Sequence, residues 1–83
     1  MNRLDPMNSL NPMNRLNPRK LLLSKWTAAK PLNREKHFLV TELFCNEAGS
    51  VLAIELQAVL SQRSERIDWR LLQDAQCWQM GWR

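Results

Sequence analysis

The fold is decided by His37-Phe38-Leu39-Val40-Thr41-Glu42-Leu43-Phe44-Cys45, then Asn46-Glu47-Ala48-Gly49-Ser50, then Val51-Leu52-Ala53-Ile54-Glu55-Leu56-Gln57-Ala58-Val59-Leu60. The first nine residues are rich in β-branched and aromatic side chains, which suit a pleated, half-buried surface. In an extended chain they place Phe38, Val40 and Phe44 on one face and Leu39, Thr41, Leu43 and Cys45 on the other. Asn46 to Ser50 reads as a hairpin turn in which Gly49 is free to take positive φ. Val51 to Leu60 has two readings. As a strand it lines up Leu52, Ile54, Leu56, Ala58 and Leu60 on one face, with a half-polar opposite face. As a helix it has good formers in Ala, Glu, Leu and Gln. The short turn after a strong strand favours a hairpin, so the strand is the preferred reading.

Outward from this hairpin the signals weaken. Glu65 to Trp69 suits a third strand with Ile67 and Trp69 inward, and Asp68 suits the N-cap of a short helical turn running to Asp74. Cys77 to Arg83, if extended, sets Trp78, Met80 and Trp82 on one side, with Gly81 available for a bend or a bulge. Upstream, Leu21, Leu22 and Leu23 suit a short buried entry strand, Pro31 closes the stretch after it, and Asn33 to Lys36 reads as a polar loop. The expected fold is mainly β: a small, strongly bent antiparallel sheet or SH3-like barrel with a short helical turn near residues 69–74. The alternative is α+β with residues 51–62 helical.

Before residue 20 the chain changes character. Asn2-Arg3-Leu4-Asp5-Pro6-Met7, Asn8-Ser9-Leu10-Asn11-Pro12-Met13 and Asn14-Arg15-Leu16-Asn17-Pro18-Arg19 form a threefold hexapeptide repeat. Proline disfavours helix in the residue before it and removes a backbone donor. One leucine in six residues buries too little apolar area to offset ordering entropy. The expected organisation is therefore a disordered tail over residues 1–20 and one small globular domain over residues 21–83. Met1, Met7 and Met13 each open the same local pattern, as a short duplication of a start would produce.

The chain has 83 residues, a net charge of +4, 45% hydrophobic and 24% charged residues. These values fit one small globular domain and exclude a multidomain enzyme. No apolar run reaches the roughly 20 residues of a membrane span, and the first residues lack the apolar core of a secretory signal. Arg3, Arg15, Arg19 and Lys20 against Asp5 place most of the basic excess in the tail, whereas residues 21–83 are nearly balanced.

Two stretches carry a resemblance. Asn17-Pro18-Arg19-Lys20-Leu21-Leu22-Leu23-Ser24-Lys25-Trp26-Thr27-Ala28, continued by Asn33-Arg34-Glu35-Lys36-His37-Phe38, resembles the opening of a family of short tryptophan-rich bacterial proteins. Ile67-Asp68-Trp69-Arg70, followed by Asp74, Trp78, Gly81 and Trp82, resembles that family's end. The resemblance covers roughly residues 17–83. It implies a stand-alone bacterial protein of the cytoplasm, with DNA photolyases as gene neighbours, and no mechanism.

The chemistry of catalysis is thin. The sequence has one histidine, His37, and two cysteines, Cys45 and Cys77. On one strand His37 and Cys45 stand about 26 Å apart at roughly 3.3 Å per residue. Zinc needs three or four clustered ligands, which these residues do not supply. The expectation is a non-enzyme with no cofactor and no metal, a monomer with no membrane attachment, whose cysteines are reduced, buried, small apolar groups.

The anomaly is four tryptophans in so short a chain. Trp26 and Trp69 lie in apolar or capped segments and suit a core. Trp78 and Trp82 lie among polar residues near Arg83. Basic residues interleave with the aromatics, the pattern by which single strands are bound through stacking and phosphate neutralisation. The candidate nucleic-acid-binding residues are Lys25, Arg34, Lys36, Arg63, Arg66, Trp78, Trp82 and Arg83, with RNA or single-stranded DNA as ligand. The alternative is a protein-interaction module with tryptophan anchors, its partner associated with the ribosome or with DNA repair.

Overall fold

The computed structural model describes residues 13–83. Five strands, β1 (Lys25–Leu32), β2 (Glu35–Cys45), β3 (Val51–Ala58), β4 (Ser64–Asp68) and β5 (Trp78–Met80), form one antiparallel sheet in the order β4-β3-β2-β1-β5. The sheet is mainly β as expected, and it is open. β4 and β5 are edges and do not pair, so the bent-sheet form of the expectation holds and the closed barrel does not. The helical alternative for residues 51–62 is overturned. Val51–Ala58 is a strand because Ile54, Leu56 and Ala58 meet Leu43, Val40 and Phe38 at a spacing of two. A helix would spread these three residues around its surface.

The connections are short and their chemistry is local. β1 and β2 are joined by Asn33 and Arg34 alone, both at positive φ (55° and 63°), the conformation that matches strand twist in a two-residue hairpin. The expected loop over 33–36 is therefore shorter, and Glu35 and Lys36 belong to β2. Between β2 and β3 the Asn46 carboxamide oxygen accepts from the Ser50 N–H at 3.0 Å, and Gly49 takes φ 84°. Between β3 and β4 the Ala58 N–H donates to the Arg63 carbonyl at 2.9 Å.

The inner face of the sheet carries Trp26, Phe38, Val40, Ile54, Leu56 and Ala58, all buried. Leu21 and Leu72 close over them, and Leu16, Leu43, Ile67, Trp69 and Trp78 pack at the margin. Leu72, fully buried, comes from a 3₁₀ turn at Trp69–Gln73, the turn expected after the Asp68 cap. The Asp68 carboxylate accepts from the Arg70 N–H at 2.9 Å. Asp68 is held down at about 2 by the Arg70 guanidinium and that same N–H.

The faces differ from a strict alternation at one place. β2 bulges between Val40 and Glu42, which turns Leu43 inward opposite Ile54 and sends Phe44 outward opposite Ala53. A second irregularity between Phe44 and Cys45 buries Val51 and exposes Leu52. Cys45 and Cys77 are free and exposed, not buried as expected.

The N-terminal boundary also moves. Leu21 is buried, but Leu22 and Leu23 are exposed and Leu23 takes φ 65°, so the expected entry strand is a turn. Residues 13–20, placed in the tail by composition, are attached to the domain. Met13 bridges to Asp74, and the Asn14 N–H donates to the Gln73 carbonyl at 2.8 Å. A 3₁₀ turn at Pro18–Lys20, capped by Asn17, leads into Leu21. What the composition hid is that Asn14 finds hydrogen-bond partners at Leu72, Gln73 and Trp78 and that Leu16 packs against the core. The tail expectation for residues 1–12 lies outside the described residues.

Candidate functional site: the outer face around Trp82

Lys25, Thr27 and His37 alternate with Trp26 and Phe38 and so point to the opposite, outer face of the sheet. The last residues of the chain fold over them. Gly81 donates its N–H to the Lys25 carbonyl at 2.8 Å and turns the backbone at φ 82°. The Thr27 hydroxyl donates to the Gly81 carbonyl at 2.7 Å and accepts from the Arg83 N–H at 2.9 Å. Thr27 is therefore buried on a face that is otherwise open.

This turn sets Trp82 in one orientation. Its Nε1–H donates to the Phe38 carbonyl at 2.9 Å, while 44% of the residue stays exposed. The Lys25 ammonium lies 4.8 Å from the ring centroid, and the His37 ring lies 6.1 Å away, tilted at 45°. A carbonyl only accepts, so the His37 Nε2–H donates to the Arg83 carbonyl at 2.9 Å. Beyond His37, Arg34 and Lys36 line a shallow depression of about 260 Å³ with Val59 and Leu60. Among the described residues none of Lys25, Arg34, Lys36 and Arg83 forms an ion pair. The arrangement presents a fixed indole beside cations that have no ion-pair partner among the described residues.

Three of the eight candidate residues, Lys25, Trp82 and Arg83, thus come together, and Arg34 and Lys36 line the neighbouring depression, which shares His37 with them. The other three do neither. Trp78 lies on the inner face, edge-on to Phe38 with centroids 5.2 Å apart. Gly81 separates Trp78 from Trp82, so the two residues expected on one side are on opposite faces. Arg63 is bound to Glu35 at 2.6 and 3.1 Å, and its remaining nitrogen faces Glu65 at 3.6 Å. Arg66 lies on the outer face over the Phe44 ring at 4.1 Å, on edge strand β4, away from Trp82. His37 was missed as a member of the site. A lone histidine flanked by Lys36 and one hairpin turn from Arg34 was the available signal.

The inner face holds a second feature. A cleft of about 230 Å³ runs between Phe38, Leu56, Ile67, Leu71 and Trp78, with the Glu35–Arg63 pair at one end. The Glu35 carboxylate is nearly buried and also accepts from the Ser61 hydroxyl at 2.5 Å. The Arg63 guanidinium, and next the Ser61 hydroxyl, hold Glu35 down at about 2, from an ordinary value near 4.5. Asp74 pushes the Cys77 thiol up. Among the described residues no cluster of three His, Cys, Asp or Glu side chains is placed to hold a metal ion. No helix there is long and apolar enough to cross a membrane.

No curated protein and no solved structure matches this chain. A family described as tryptophan-rich protein (DUF2389) matches residues 24–83. That span holds the whole sheet, the Trp69–Gln73 turn, all four tryptophans and every residue of the outer-face site. By this match over most of its length, the chain belongs to the tryptophan-rich protein family DUF2389.

Proposed function

We propose that the chain binds single-stranded nucleic acid on its outer face, with Trp82 as the stacking platform. The observation that carries this reading is the pinned, half-exposed indole with the Lys25 ammonium beside it, Arg83 next in the chain with its Nε–H donating to the Met80 carbonyl, and no carboxylate paired to either cation among the described residues. Stacking on an aromatic contributes about 1–3 kcal/mol per base and tolerates any base. Lys25, Arg34, Lys36 and Arg83 neutralise phosphates on either side, and displaced counterions make the affinity salt-dependent. His37 adds a ring edge to the platform and positions Arg83 through its carbonyl. Inner-face Trp78 and ion-paired Arg63 take no part.

The test is a fluorescence titration with short RNA and single-stranded DNA oligomers at two salt concentrations. Binding should quench tryptophan emission and weaken steeply as salt rises. The second reading, a protein-interaction module, rests on the inner-face cleft, which accepts one apolar side chain of a partner beside the Glu35–Arg63 pair. Unquenched emission with no salt-sensitive binding at low salt would remove the nucleic-acid reading and leave the cleft.

A further inference from the structure

The third hexapeptide copy is bound as a peptide ligand would be. The Asn14 carboxamide donates to the carbonyls of Leu72 at 2.8 Å and Trp78 at 2.9 Å, and its backbone N–H donates to Gln73. Leu16 packs against the core between these bonds and Leu21. The Asn17 carboxamide oxygen accepts from the Arg19 N–H at 3.1 Å and starts the turn through Pro18. The groove that receives these groups, from Leu72 to Trp78, lies within the family's matched span, whereas residues 14–19 lie outside it.

The repeat varies only where this binding tolerates variation. Asn14, Leu16 and Pro18 are partly buried, and each recurs as Asn8, Leu10 and Pro12 and as Asn2, Leu4 and Pro6. The capping position is Asn17, Asn11 or Asp5, all side chains with an oxygen that accepts the same N–H. The positions that differ, Arg15 against Ser9, and Arg19 against Met13 and Met7, are exposed in the third copy. Met7 precedes the second copy as Met13, which bridges to Asp74, precedes the third.

We infer that the Leu72–Trp78 groove is a binding site for segments of the form Asn-X-Leu-Asx-Pro, and that the three repeats are interchangeable ligands for it. The third copy occupies the groove in the structure. The second reaches it when the residues between are looped out, because lengthening a surface connection by six residues adds little closure entropy. Docking in cis is favoured over docking to a second chain because the tether keeps the spare copies at high effective concentration.

Deleting residues 13–18 is the direct test. It joins Asn8-Ser9-Leu10-Asn11-Pro12 to Arg19-Lys20-Leu21 and puts the second copy in the third's place. This chain should keep its Tm and its Trp78 amide shift, and Asn8→Ala within it should lower Tm as Asn14→Ala does in a chain without spare copies. In the full chain, Asn8→Ala/Leu10→Ala should be silent on its own. Added to Asn14→Ala/Leu16→Ala, it should lower Tm further, by roughly 5 °C. A deletion chain that loses stability or fails to fold would overturn the proposal. So would additive effects of the two double substitutions. Dimers appearing in Asn14→Ala/Leu16→Ala by sedimentation would overturn docking in cis.

Discussion

Trp26 and Trp82 meet the same residue, Phe38, from opposite faces of the sheet. Trp26 pairs with Phe38 across β1 and β2 and keeps 1% of its surface exposed, with its Nε1–H donating to the Ser24 hydroxyl oxygen at 2.9 Å. Trp82, just after edge strand β5, reaches back to β2, bonds the Phe38 carbonyl and leaves 44% exposed. Both indoles satisfy their one donor, so neither is held in place by burial alone. They differ in what lies above the ring. Over Trp26 is the packed layer of Leu21 and its neighbours, and over Trp82 are an ammonium and solvent. The same side chain stabilises the fold on one face and is left available on the other.

The sharpest test of this contrast is Trp26→Ala. Removing a fully buried tryptophan costs about 3–5 kcal/mol, which exceeds or equals the stability of many domains this small. Chemical denaturation should show a variant largely unfolded in water. Trp69→Ala, at the half-buried margin, should lose less, about 1–3 kcal/mol by the same rule scaled to its burial. A Trp26→Ala chain that melts like the parent would mean the inner face is not the core.

Trp82→Ala should do the reverse. It gives up a hydrogen bond of about 1 kcal/mol and the covered half of one indole rather than a fully buried one, so it should cost less than Trp26→Ala and leave the chain folded. Oligomer affinity should fall by about 1–3 kcal/mol, the range for one stacked base. Trp78→Ala is the control: it loosens the inner face and should leave the affinity of the folded fraction unchanged. If both substitutions weaken binding equally, the two faces do not divide the work.

This division was only partly legible in the sequence. The β2–β3 hairpin was, because strands announce themselves by period-two burial and the turn by its asparagine and glycine. The bulge at Thr41 was not, since it carries no glycine or proline, and it alone moves Phe44 from the core to the surface. Lys25 and Trp82 are far apart in sequence, and their meeting depends on the Gly81 turn and on β5 pairing with β1. In the sequence Arg63 reads as a free cation because its partner, Glu35, falls in the polar stretch Asn33 to Lys36. Asn14 looked like part of a tail because its partners are carbonyl oxygens, which leave no trace in residue type.

The Glu35–Arg63 pair, which lines the inner-face cleft, shapes the acid limb of the stability curve. Glu35 is depressed from about 4.5 to about 2 in the folded chain. A depressed carboxylate contributes stability that is fully present above its unfolded value and is lost as pH falls through its folded one. Stability should therefore decline between about pH 4.5 and pH 2. Glu35→Gln should flatten part of that decline and leave the remainder to Asp68, which is lowered in the same way. Thermal melts across this range check both. A Glu35→Gln chain with an unchanged acid limb would show that the pair is not formed in solution.

The smallest expected effect concerns Arg66, which shares the outer face with Trp82 yet sits on the far edge strand. β4 and β1 are three strand spacings apart, about 14 Å at roughly 4.8 Å each. Arg66 lies over Phe44 and opposite Glu55, whose neighbour across β2 is Glu42. That acidic pair offsets its charge, and on the proposed reading a phosphate chain following Lys25, Arg34 and Arg83 would run along the other side of the sheet. Arg66→Ala should cost about 0.5–1 kcal/mol of stability through the lost contact with Phe44. Its salt slope for oligomer binding should equal the parent's, whereas Lys25→Ala should lower the slope by roughly 0.7, the value for one phosphate contact on a single strand. Equal reductions for Arg66→Ala and Lys25→Ala would extend the binding surface across the whole outer face. A reduction for Arg66→Ala alone would move it to β4 and away from Trp82.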